Sequence, residues 1–229
     1  AHEINNPLAA VTNCIYLALT DPGLGDVTRD YLKTAEQELA RVAHVATQTL
    51  RFYKQSSAPE LADLSGIMES VFSLFAPRFR VSSIVVEREY ETVEKLFCYN
   101  DELRQVFANL IGNALDATAR GGRLRIRIKD ARGWDNSGVR GVKVIIADTG
   151  HGIPLDLRKQ VFEPFVTTKD STGTGLGLWV TEGIIRKHKG NMVMRSSTDP
   201  IEHGTVFSLF FPLAGLAGSS RSKKMASDV

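Results

Sequence analysis

The first apolar positions of the chain recur with helical rhythm. Ile4, Leu8, Val11, Ile15 and Ala18 follow one another at spacings of 4, 3, 4 and 3, one stripe of a helix over residues 2 to about 20. The run Asp21-Pro22-Gly23-Leu24-Gly25-Asp26 breaks that pattern and predicts a turn. A second stripe follows through Leu32, Ala35, Leu39, Val42 and Ala46, and its helix is expected to end near Tyr53. Two amphipathic helices joined by a short turn make an antiparallel hairpin, which cannot cover both its own stripes. Pairing with a second copy into a four-helix bundle would bury them, so the patterning predicts a homodimer.

Lys54 to Glu60 (KQSSAPE) is polar with a proline and reads as a linker, after which the pattern changes. A helix is expected from Leu64 to Phe79, then alternating Val81, Ile84 and Val86, a short strand at Lys95 to Cys98, and a strong helix from Asp101 to Ala119. Arg123 to Lys129 (RLRIRIK) and Gly141 to Ala147 (GVKVIIA) predict neighbouring strands. A helix at about Gly175 to His188 and strands at Asn191 to Ser196 and Thr205 to Phe211 complete the series. Helices and strands mixed without strict βαβ alternation predict an α+β fold. Its expected parts are the N-terminal antiparallel helical hairpin and an α/β sandwich, whose mixed, largely antiparallel sheet carries helices on one face. The boundaries so predicted are 1–53 for the hairpin, 54–60 for the linker, 61–213 for the sandwich and 214–229 for a disordered tail.

Composition narrows the classes. The chain has 229 residues, 43% of them hydrophobic and 24% charged, an ordinary globular mix. No apolar run approaches the roughly 20 residues of a membrane helix, so no membrane contact by this fragment is expected. The net charge of +2 is carried by Arg221, Lys223, Lys224 and Asp228 of the tail. A neutral body lacks the electrostatic footprint of a nucleic-acid binder. Cys14 and Cys98 stand alone, without a CxxC pair, which argues against a zinc site or a disulfide framework and for a reducing compartment. The chain opens on Ala-His-Glu without an initiator Met, and we expect it to be cut from something longer.

Candidate chemistry starts with two glycine clusters. Asp148-Thr149-Gly150-His151-Gly152-Ile153 follows a strand of buried character, and Gly173-Thr174-Gly175-Leu176-Gly177-Leu178 opens a helix. Glycines let backbone approach a ligand, and a helix N-terminus offers free N–H groups to phosphates. Asn109 and Asn113 sit four apart on one helical face, with Asp116 near the same side. Such oxygen donors suit magnesium, which takes its other ligands from water and phosphate; an Asn pair on a helix is more often a solvated face. His2 precedes Glu3 and shares a face with Asn6. A neutral imidazole is a competent nucleophile toward phosphorus, and a neighbouring carboxylate can accept its second proton.

Taken together these segments resemble the bacterial sensor histidine kinases. His2-Glu3-Ile4-Asn5-Asn6-Pro7-Leu8 looks like the H box, and Asn109 to Ala117 (NLIGNALDA) like the N box. Asp148 to Ile153 and Gly173 to Leu178 resemble the two glycine boxes, and Phe162-Glu163-Pro164-Phe165 the F box. All five stand in the family's order. The resemblance implies a dimerisation and histidine-phosphotransfer hairpin followed by a Bergerat-type ATP-binding domain. The implied activity is ATP-dependent autophosphorylation on His2, with Glu3 as acid/base partner, then transfer to an Asp of a response regulator. Asn6 would position a water when the enzyme acts as phosphatase of that regulator. Asn113 with Asn109 would hold Mg2+, and Asp116 would lie in the same site. Asp148 would accept from the adenine amino group in a pocket shaped by Gly150, Gly152 and Ile153, with Thr205 adding an adenine contact through water. The stretch from Glu163 to Gly177 would be a lid, bringing Phe165, Thr168, Lys169, Gly173, Thr174, Gly175, Leu176, Gly177 and Leu178 to the nucleotide. The implied localisation is cytoplasmic, with any membrane anchor in the full-length parent.

One departure is that only Ala1 precedes the H box, so an upstream sensor and helical stem are expected in the parent. Two alternatives stand beside this reading. A nucleotide-binding scaffold lacking autokinase activity would keep the glycine boxes and do no chemistry. A clamp ATPase of the same superfamily would hydrolyse ATP without a phosphohistidine, and it would lack an H box on a preceding hairpin.

Overall fold

The computed structural model describes residues 2–21, 23–36, 39, 58–91, 94–133, 138–167 and 174–216. The chain divides into two compact units, one holding the N-terminal helices and one holding the sheet. In the first, α1 (His2–Leu19) ends in a turn, and helical residues 26–36 (α2) follow. Arg29 ties the turn together: its guanidinium donates to the carbonyls of Leu19 at 2.9 Å and Asp21 at 3.2 Å. Residues 37, 38 and 40–57, which include the predicted end of the second hairpin helix near Tyr53 and most of the predicted linker, lie outside the described residues, as does the tail from 217.

The second unit runs β1 (Glu60–Ala62), α3 (Leu64–Ser82), β2 (Val85–Tyr90), β3 (Leu96–Cys98), α4 (Asn100–Ala117), β4 (Arg123–Arg132) and β5 (Arg140–Asp148). A 3-10 turn at Gln160–Phe162 precedes α5 (Gly177–Lys187), β6 (Asn191–Thr198) and β7 (His203–Pro212). The main sheet has the order β2-β4-β5-β7-β6. It is antiparallel except for the parallel β2–β4 pair, hence mixed, as the pattern predicts. Alternation in RLRIRIK and GVKVIIA turns Leu124, Ile126 and Ile128, and Val142, Val144 and Ile146, to the same buried side. Phe207, Leu209 and Phe211 of β7 join them. Against that side α4 contributes Leu103, Val106, Phe107, Leu110 and Ile111, each at most 1% exposed. At about 1.5–3 kcal/mol per fully buried large apolar side chain, this core supplies the drive to fold.

Three local features differ from the sequence expectation. Glu60–Ala62, at the end of the linker-like segment, pairs antiparallel with β3 as a separate two-stranded ribbon. Val81 stays in α3 rather than starting a strand. The helix stops only at Ser83, whose φ of 52° lets its N–H bond back to the last turn before β2 begins. At its start, Asp63 caps α3 by accepting from Ser65 N at 3.0 Å. Finally, α5 begins at Gly177, because Gly175 has a φ of +66° that a right-handed helix excludes.

Candidate functional site

β5 delivers Asp148 to the edge of the sheet's core, opposite Thr205 of β7. Its Oδ1 accepts from the N–H of Gly150 at 2.8 Å and of Thr205 at 3.1 Å. Its Oδ2 has no partner among the described residues. Burial raises the Asp148 carboxyl above the usual carboxylate range, and the two backbone donors hold it back toward the ionised form. The result is a fixed, half-buried acceptor with one open oxygen.

The loop after Asp148 is held from β6 and β7. Ser196 Oγ accepts from Ile153 N at 2.7 Å and donates to Gly204 O at 3.0 Å. A hydroxyl has one proton, so at the 2.9 Å contact with Thr205 Oγ1 it is Thr205 that donates. Ser196 is thereby saturated, while Thr205, itself only 4% exposed, keeps acceptor capacity on Oγ1. His203 Nδ1 donates to Gly150 O at 2.7 Å. Gly152, at φ +73°, passes so close to β6 that a Cβ there would lie 1.9 Å from Ser197 O, which requires glycine. Sequence reading singled out neither Ser196 nor His203. A serine on an edge strand and a histidine in a hairpin carry no pattern; only register places them under the loop.

The second cluster centres on α5. Phe165, 64% exposed and at φ +69°, donates its N–H to Gly175 O at 3.1 Å, so the predicted lid residues Phe165 and Gly175 do meet. At Gly175 a Cβ would stand 2.3 Å from the Phe165 carbonyl carbon. Leu176 is buried and Leu178 half-buried, and no side chain caps the N-terminus of α5. Its first N–H groups and the helix dipole therefore suit an anion. Thr174 is half-buried with a partner of its own, whereas Thr168, Lys169 and Gly173 lie outside the described residues.

On α4, Asn109 and Asn113 are half-buried on one face. Asn109 Nδ2 donates to Gly177 O at 3.1 Å and to Thr181 Oγ1 at 3.3 Å, which joins α4 to α5 beside that helix start. The asparagine oxygens fit a hard, oxygen-preferring divalent cation such as Mg2+. Asp116 is exposed and takes a hydrogen bond from Arg78 Nη2 at 2.5 Å. It lines a cleft of about 430 Å³ together with Thr149, His151 and His203. Asp148, Asn109 and Asn113 do not line that cleft. His2, Glu3 and Asn6 belong to α1, with their side chains outside the described residues. No helix among the described residues is long and apolar enough to cross a membrane.

Known proteins are similar to this chain in sequence and in fold. Residues 98–215 match the sequence model of the family described as histidine kinase-, DNA gyrase B-, and HSP90-like ATPase. The chain is similar to Sporulation kinase A of Bacillus subtilis, 33% identical over 93% of this chain and 33% of that protein. It thus spans a third of that relative's length. Among solved structures it is similar to the catalytic domain of histidine kinase ThkA, with 28% identity, a TM-score of 0.59, and coverage of 69% of this chain and 97% of that one. It is also similar to ThkA in complex with the response regulator protein TrrA, at 25% identity and a TM-score of 0.61, over 93% of this chain and 59% of that one.

Proposed function

Since the chain belongs to the family of histidine kinase-, DNA gyrase B-, and HSP90-like ATPases, as an ATP-binding domain of the sensor histidine kinase kind, we propose that it is the catalytic part of a protein-histidine kinase. In this proposal residues 1–53 are the dimerising phosphotransfer hairpin, 54–60 the linker and 61–213 the ATP-binding domain, and the phosphoryl acceptor is His2. The observation that carries the reading is the open Oδ2 of a half-buried Asp148, fixed by Gly150 and Thr205 in the same unit as an uncapped helix start at Gly177.

The chemistry follows from those groups. Asp148 Oδ2 accepts from the amino group of adenine, and Thr205 Oγ1 offers lone pairs to a bridging water. The N-terminal N–H groups of α5 bind phosphate oxygens, with Thr168, Lys169 and Gly173 on the closing lid. Asn113 and Asn109 would hold Mg2+, which neutralises phosphate charge when bound. A neutral His2 imidazole attacks the γ-phosphorus in line; the N–P bond forms as the bond to the ADP oxygen breaks, and Glu3 takes the ring's other proton. The phosphoryl group then passes to an Asp of a response regulator, a partner class supported by the complex formed by the ThkA neighbour. Asn6 serves the opposing phosphatase reaction by orienting a water that attacks the regulator's phospho-Asp, releasing inorganic phosphate and the free carboxylate.

Incubation with Mg2+ and γ-labelled ATP tests this. The expected outcome is acid-labile, base-stable label on the chain, absent from His2→Ala and from Asn113→Ala. Label that survives His2→Ala would overturn the assignment of the acceptor. Nucleotide binding without label would favour the scaffold reading.

A further inference from the structure

Thr181 lies in the middle of α5 and is 0% exposed. A hydroxyl removed from water needs a partner, and this one finds it on another helix: Asn109 Nδ2 of α4, at 3.3 Å. The same nitrogen donates to Gly177 O at 3.1 Å. A backbone carbonyl can only accept, so the Asn109 atom facing it must be nitrogen, and the amide's orientation follows from chemistry. An amide nitrogen has two protons, and α5 takes both. The oxygen Oδ1 is then the end of the amide that α5 does not hold.

We propose that Thr181 is a positioning residue for divalent-metal binding, locking the Asn109 amide so that it presents Oδ1, not its NH2 group, to the cation. This rests on the ATP and Mg2+ reading above. The physical need is plain. Rotation about the last torsion of Asn is broad, and its two ends are nearly the same size. An amide held at Gly177 O alone can rock or flip, and in the flipped state its N–H groups repel a cation. A second acceptor at Thr181 Oγ1 removes that freedom. Because Gly177 and Thr181 sit one turn apart on α5, the contact also ties the metal ligand to the helix start that receives phosphate.

The test is calorimetric titration of a non-hydrolysable ATP analogue with Mg2+ and with EDTA, on the whole chain. For Thr181→Val the Mg2+-dependent gain in affinity is expected to fall about three- to tenfold, the worth of one hydrogen bond. Affinity in EDTA should stay within about twofold, since Asn109 is not asked to bind metal there. Thr181→Ser, which keeps the hydroxyl, restores the gain. Thr181→Cys has a weaker acceptor at similar volume, so it shows a partial loss, and it carries the test if the valine variant fails to fold. An unchanged Mg2+ gain in Thr181→Val, or equal losses with and without Mg2+, overturns the proposal. A wild-type chain that binds no nucleotide in either condition overturns the ATP reading as well, so the two failures are distinguishable.

Discussion

Ser196 shows how a single side chain can hold several residues of a site together. It satisfies Ile153 N–H, Gly204 C=O and the Thr205 hydroxyl at once, at distances of 2.7, 3.0 and 2.9 Å. Ser196→Ala leaves all three without that partner in a half-buried place, at a cost of about 1–3 kcal/mol per group that water cannot reach. We expect a drop in melting temperature and a several-fold weaker nucleotide affinity, because the Ile153 loop loses its anchor. Ser196→Thr, which keeps the hydroxyl, should lose less in both measurements. Equal losses in the two variants would show that volume at this position matters, not the hydrogen bonds. The glycines are the opposite case. The sequence offers Gly152 and Gly175 as ligand-approach positions, whereas their positive φ values and the Cβ positions blocked by Ser197 O and the Phe165 carbonyl carbon show that the chain's own backbone requires glycine there.

Among the elements, α5 is tied at its C-terminal end by His188 to the junction between β3 and α4. Tyr99 N–H donates to His188 Nε2 at 3.1 Å, and His188 Nδ1 donates to Ile184 O at 2.8 Å. A ring nitrogen that accepts from a backbone N–H carries no proton, so the imidazole is neutral. Burial holds its pKa below the ordinary 6.5, consistent with that tautomer. Beside it Lys187 bridges to Glu102 at 2.5 Å and lies 4.0 Å over the Tyr99 ring. The unfolded chain protonates this imidazole near pH 6.5 and the folded one only lower, so stability falls as pH drops below about 6.5. Thermal melts from pH 8 to 5 should show that decline, with a shallower one in His188→Gln; parallel slopes would exclude His188 as its source. No such role was legible beforehand. A histidine ending a helix reads as a solvent-facing C-terminal residue until Tyr99, 89 positions earlier, folds onto it.

For the whole molecule, the two units differ in what they bury. From residue 10 onward, the described residues of the N-terminal helices include no buried side chain: Ile15, Ala18 and Leu32 are half-buried, while Tyr16, Leu17, Val27 and Tyr31 are at least 60% exposed. Our homodimer proposal predicts a light-scattering mass of twice the 25.2 kDa of one chain. Ile15→Glu and Leu32→Glu should lower it toward a single chain without altering nucleotide affinity. A wild-type monomer would overturn the proposal. The sequence by itself determined the α+β class, the order of the helices and strands after β1, the pairing of β4 with β5, and the glycine and asparagine boxes. These depend on periods of 3.6 and 2 and on residue types that few backbones accept, which are local properties. Only the tertiary structure decided that β2 runs parallel to β4, that Glu60–Ala62 pairs with β3, and that Ser196, His203 and Thr181 brace the candidate site. Those contacts join residues 8 to 72 positions apart, and their side chains acquire partners only once strand register and helix packing bring them together.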